Sequence, residues 1–172
     1  LEPSRKKSEE HWRDKMLKKK DFVIISYLRQ NSRQRLTKMS REIHMPVSTI
    51  YDRIKTYESG LIKKHTCLLD FSKLGFNTRA TIMLKVNREF RNKLGEYLSN
   101  HHSINTVYKI NNGFDFMAEA LFKHIKDMED FNEILEEKFK IDDSKTYFII
   151  DEIKRESFMS NPDTVNLIKG EL

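Results

Sequence analysis

The hydrophobic period of this chain changes near residue 78, so it must fold as a helical unit followed by a unit built on strands. Before the change, Leu36, Met39 and Ile43 fall at i, i+3 and i+7, and Val47, Ile50, Ile54 and Tyr57 at i, i+3, i+7 and i+10. That spacing puts one apolar stripe on each of two short helices. After it, Ala80, Ile82, Leu84 and Val86 alternate as a strand does, and Phe90, Leu94, Tyr97 and Leu98 return to helical spacing. Thr106, Tyr108 and Ile110 alternate again. The turn signal Asn111-Asn112-Gly113 separates them from Phe114, Phe116, Ala118, Ala120 and Phe122. Asn-Gly between alternating runs is a hairpin signal. Met128, Phe131, Ile134, Leu135 and Phe139 make a second amphipathic helix, and Thr146, Phe148 and Ile150 open a last strand. The order βαββαβ is that of a ferredoxin-like unit.

The expected class is α+β: an N-terminal winged helix-turn-helix joined by a hinge to a C-terminal ferredoxin-like βαββαβ domain. Residues 1–20 form a basic arm, 21–70 the winged helix-turn-helix, 71–78 the hinge, 79–156 the ferredoxin-like domain and 157–172 a tail. In the arm, Trp12 and Met16 lie on one side of a helical extension, beside the basic run Lys18–Lys20. The first helix of the N-terminal unit runs from Asp21 to Gln30 with Ile24, Ile25 and Leu28 inward. Thr37 caps the next helix, Pro46 opens the one after it within its first turn, and Gly60 closes that one. Leu61 to Leu69 follows as a strand or wing.

Two short helices joined by a tight turn form a helix-turn-helix, whose second helix enters the major groove of duplex DNA. Charge agrees with that partner. Residues 1–70 hold 17 Lys and Arg against 9 Asp and Glu, whereas residues 71–172 hold 15 against 17. The helical half is therefore the electropositive one, as expected where one domain meets phosphates. Ser48, Thr49, Tyr51, Asp52 and Lys55 lie opposite the apolar stripe and are candidates for base edges or nearby phosphates. Thr37, Arg53, Lys63 and Lys64 complete the candidate DNA-contact set, with Arg53 suited to a structural or phosphate salt bridge and His65 to the surface. Asp52 has Lys55 as an alternative partner on the helix surface.

At this point the chain resembles the Lrp/AsnC family of prokaryotic transcription regulators over roughly residues 20 to 155. Three pieces carry the resemblance: the run STIYDRIK, the following GLIKKHTCLLD, and YKINNGFDFMAEALF with its Gly-x-Asp core at Gly113 and Asp115. The family turn between the helices usually carries Gly. Here it is His44, which must adopt a strained φ or reshape the turn. The resemblance implies an amino acid or other small-molecule effector near Gly113, Phe114, Asp115 and, on the last strand, Thr146. Hairpin chemistry alone accounts equally for Gly113 and Asp115. Met83, Val107, Met117, Leu121, Ile149 and Ile153, with Lys85 and Glu119 among them, are assigned to the sheet face away from the helices. Leaving such groups wet costs about 1.5–3 kcal/mol each. A homodimer or higher homo-oligomer covering that face is the expectation, and the resemblance implies the same.

The competing classes are a tetrapyrrole decarboxylase of the same architecture and a ligand sensor without DNA binding. The first needs a basic, His-lined pocket, and His101-His102 is the adjacent pair available. No HExxH, Gly-rich phosphate loop, GxSxG or Cys/His ligand spacing occurs, so no catalytic residue, metal or cofactor is expected. The lone Cys67 leaves no intrachain disulfide or cysteine zinc cluster. No run approaches the roughly 18 apolar residues of a membrane span. The first twenty residues hold no apolar signal-peptide core, and a soluble cytoplasmic protein is expected.

Overall fold

The computed structural model describes residues 17–165, so Trp12, Met16 and the rest of the arm before Leu17 lie outside the described residues. Contacts divide the chain into two units, residues 1–67 with 153–172, and residues 68–152.

The helical unit contains α1 (Lys19–Gln30), α2 (Leu36–Ile43) and α3 (Val47–Glu58). Ile24, Met39, Met45, Ile50 and Tyr57 form its buried core, flanked by Ile25, Leu28, Leu36, Ile43, Ile54 and Ile62. The two stripes thus meet as their spacing requires, except that Val47, at the first turn of α3, is exposed. His44 adopts φ 51°, ψ 56° in the left-handed region. This lets Met45 turn into the core, with its amide on the Ser40 carbonyl (3.2 Å) and its carbonyl taking the Ser40 hydroxyl (2.6 Å).

Several local expectations change. α1 begins two residues early because Asp21 accepts the Lys18 backbone N–H at 2.7 Å, closing the first turn. Thr37 is the second residue of α2 and exposed, not its cap. Arg35 occupies the cap position without a side-chain bond. Pro46 stands at the cap of α3, one residue before its first turn. α3 ends at Glu58 with Ser59 in right-handed backbone, so Gly60 supplies no left-handed cap. Residues 61–69 form no strand: no ladder partner exists for them among the described residues, and only Ile62 tucks under the core.

The second unit is a four-stranded antiparallel sheet in the order β2-β3-β1-β4, with β1 Thr78–Val86, β2 Ile104–Lys109, β3 Phe116–Phe122 and β4 Ile141–Phe148. Helices α4 (Arg91–Asn100) and α5 (Ile125–Lys138) provide Leu94, Leu98, Met128, Phe131 and Leu135 to one core with Ala80, Ile82, Leu84, Val86, Phe116 and Phe122. The Asn-Gly hairpin forms as expected. Asn112 (φ 63°) and Gly113 (φ 98°) are left-handed at its tip, and Ile110 N–H donates to the Asp115 carbonyl at 3.0 Å.

Register corrects two assignments on the open face. Val107 stands opposite Ala118 and packs against the helix-side core, because a shift between Ile104 and Thr106 resets the alternation of β2. Ile153 lies beyond β4, is 95% exposed, and groups with the helical unit. The open face instead carries Tyr108, Met117, Met83 and Lys145 in one row, with Thr106, Glu119, Thr81 and Tyr147 in the next. Glu119 pairs with Arg79 at 2.7 Å. The last strand starts at Ile141, earlier than its apolar residues suggest, because Asp142, Asp143 and Ser144 occupy a solvated edge.

Asp21 joins α1 to α3. Its carboxylate accepts Arg53 Nη1 and the Tyr57 hydroxyl, the latter at 2.5 Å. Burial opposes its charge, but the bonds from Tyr57, the Lys18 amide and Arg53 outweigh that and hold its pKa below the ordinary value. Burial and the Asp21 carboxylate push the Tyr57 phenol up. Arg53→Ala should cost about 2 kcal/mol of unfolding free energy in a urea titration, because a buried acceptor loses its charged donor. A depressed folded pKa adds stability that is fully present above the unfolded carboxylate value, about pH 4, and is lost as pH falls through the folded value. Asp21→Asn should therefore be less stable at pH 7 and show a shallower loss below pH 4. An unchanged acid slope would refute the assignment.

Candidate functional site

The face of α3 away from the core carries Ser48, Tyr51, Asp52 and Lys55 at i, i+3, i+4 and i+7, all exposed, with Thr49 half-buried beside them. The face forms because Ile50 and Tyr57 anchor the opposite side. Tyr51 is 51% exposed, and the Lys55 ammonium lies 5.8 Å from its ring centre. Lys55 pairs with Glu58 at 3.3 Å, not with Asp52, and that bond is the main reason the Glu58 carboxyl sits below its ordinary value. His65 Nε2 also meets Glu58, at 3.3 Å. Lys63 and Lys64 are exposed in the irregular segment after α3. Arg53 makes the structural one of the two salt bridges expected of it, its guanidinium turned inward onto Asp21. An inward Arg at that position has no signal in helical spacing, since Asp21 is 32 residues away in sequence.

Gly113, Phe114 and Asp115 come together in a concavity of about 440 Å³, beside Lys85, Arg88 and Arg91. Asp115 ties this corner together. Its amide donates to the Leu84 carbonyl (2.9 Å), and its carboxylate accepts the Val86 amide (3.0 Å) and pairs with Arg91 (2.6 Å). Asp115 therefore joins the hairpin to the end of β1 and the start of α4. The Lys145 ammonium lies 5.4 Å from the Phe114 ring centre. Thr146 stands opposite Ile82 and does not line the concavity. Arg88 and Arg91 were absent from the candidate set. Only their place at the entry to α4, reached through register, reveals them.

His101 and His102 stack with ring centres 4.5 Å apart, and His101 also packs on Phe131 at 4.7 Å. Burial, then the neighbouring His102 and Lys138 charges, lowers the His101 pKa. No group of three or more His, Cys, Asp or Glu side chains among the described residues could hold a metal ion. No helix among them is long and apolar enough to cross a membrane.

Residues 79–158 match the Lrp/AsnC ligand binding domain. The HTH-type transcriptional regulator FL11 of Pyrococcus furiosus is 30% identical over 112 residues, which span 64% of this chain and 74% of that protein. Among solved structures, Bacillus subtilis LrpC superposes with a TM-score of 0.72 at 23% identity, covering 81% of this chain and 98% of that one. A Neisseria meningitidis transcriptional regulator in complex with L-Met gives a TM-score of 0.75 at 19% identity, covering 81% and 94%. By its matched domain, its relatives and its sheet topology, the chain belongs to the Lrp/AsnC family of transcriptional regulators.

Proposed function

We propose that this chain reads duplex DNA with the exposed face of α3, acts in pairs joined through the open face of its sheet, and responds to a small carboxylate-bearing effector. The observation that carries the DNA reading is the outward row Ser48, Tyr51, Asp52 and Lys55, polar and solvent-facing on the second helix of the motif. Such a helix directs its N-terminal half to base edges, while flanking lysines meet phosphates. Tyr51→Ala should relax sequence preference in a binding-site selection. Lys63→Ala should leave preference intact and reduce the salt slope of affinity by about 1. Equal weakening on all sequences in both variants would sink the groove assignment.

Pairing is supported by the apolar surface of the open face, where Met83, Met117 and Leu121 are half-buried and Tyr108 and Tyr147 exposed. A palindromic site presents its half-sites about one DNA turn apart, roughly 34 Å, and a pair of copies offers it two α3 helices. Light scattering at micromolar concentration should give a dimer or a multiple of it, and Met117→Glu should yield monomers. A wild-type monomer would overturn the pairing.

The effector is supported by the concavity beside Gly113, where Lys85 and Arg88 stand with the Arg91–Asp115 pair and Asp142 around the hairpin tip, three cations against two carboxylates. The L-Met bound by the Neisseria meningitidis relative suggests the class, a free amino acid. One or more of the twenty amino acids should raise the melting temperature when present well above its Kd, since a ligand at a hundredfold excess adds about 2.7 kcal/mol. No shift with any of them would remove the amino-acid reading.

A further inference from the structure

The chain passes between its two units twice: it leaves the helical unit after Cys67 and re-enters it at Ile153. Arg29, in the last turn of α1, receives the returning segment. Its Nε donates to the Phe158 carbonyl at 3.1 Å, Nη1 to the Glu156 carboxylate at 3.0 Å, and Nη2 to the Glu156 carbonyl at 3.0 Å. The guanidinium spreads these bonds over three nitrogens in fixed directions, which the single nitrogen of a lysine ammonium does not reproduce. The backbone conforms to the hook. Glu156 and Met159 sit at φ 50° and 58°, left-handed backbone that crowds the Cβ of any residue but glycine. Such backbone persists where its surroundings determine it, and a freely trailing tail would relax. Further along, the Ser157 carbonyl accepts the Ser160 hydroxyl at 2.9 Å, and Val165 is buried to 2% exposure. The Arg29–Glu156 ion pair is itself partly exposed and adds little alone. The two carbonyl bonds set the register.

We propose that residues 153–165 are a strap and that Arg29 is a positioning residue that determines half-site spacing. By anchoring the returning chain on α1, Arg29 gives the helical unit a second tether to the sheet domain. The same helix carries Asp21 near its other end, clasping Arg53 and Tyr57 of α3. A second tether narrows the separations at which two recognition helices can dock. This inference rests on the paired DNA reading above.

Two measurements on the full chain test it. In a selection from duplexes with variable half-site spacing, the wild type should concentrate on one spacing. Arg29→Ala and Arg29→Lys should both lose that selectivity while keeping the same half-site motif. Uniform weakening at every spacing, as simple destabilisation would produce, overturns the proposal. The second measurement uses no DNA. Spin labels at Arg41→Cys and Glu129→Cys, in a Cys67→Ser background diluted with unlabelled protein, should give a narrow distance distribution that broadens with either Arg29 variant. Equal widths overturn the strap. If the wild type selects single half-sites, the paired reading fails, and the label distances alone decide whether the strap exists.

Discussion

Asp21 carries a negative charge into a unit whose core rests on five buried side chains, Ile24, Met39, Met45, Ile50 and Tyr57. Stripped of partners, a carboxylate at 7% exposure would cost several kcal/mol, so its donors must stay in place. Two of the three, Arg53 and Tyr57, lie one turn apart on α3. Hydrophobic contact has no direction of its own and leaves a short helix free to roll. Two hydrogen bonds from one helix to one buried carboxylate remove that freedom. The rotation they set is the one that points Ser48, Tyr51 and Lys55 outward.

The sheet unit solves a related problem with an acid at its corner. Asp115 links the hairpin tip to β1 and α4 through two backbone contacts and Arg91. A hairpin held at its tip keeps Gly113 and Phe114 at a fixed place beside Lys85 and Arg88. The sheet's two faces differ in kind. One is closed by α4 and α5, and the other mixes Met83, Met117 and Leu121 with the Arg79–Glu119 pair. An ion pair within an apolar face adds direction to an otherwise slippery surface.

Much of this was legible from local pattern. The alternation of β1 and β3, the spacing of α4 and α5 and the Asn112-Gly113 tip all depend on neighbours within a few residues. At His44 the family resemblance left a strained φ or a reshaped turn, and the packing takes the left-handed backbone. What escaped depended on distant partners. Val107 changed faces through a register shift, and the lysine-rich run after α3 had no strand to join. The polar start of β4, Asp142-Asp143-Ser144, is tolerated because an edge strand need not bury its side chains. The tail after Ile153 shows no apolar period, because the bonds to Arg29 and the burial of Val165 that hold it are isolated contacts.

The sequence by itself determined the order of helices and strands, the split between a basic helical half and a mixed half, and the polar face that α3 turns outward. Each follows from the period of apolar residues, which is a local property of the chain. The tertiary structure alone decided that Arg53 takes Asp21 as its partner, that Asp115 ties the hairpin to β1 and α4, and that Arg29 holds the returning tail. In those cases a charged or polar side chain had several chemically sound partners. The one it took was set by which backbone the packing brought within about 3 Å, a hydrogen-bond length that no spacing in sequence encodes.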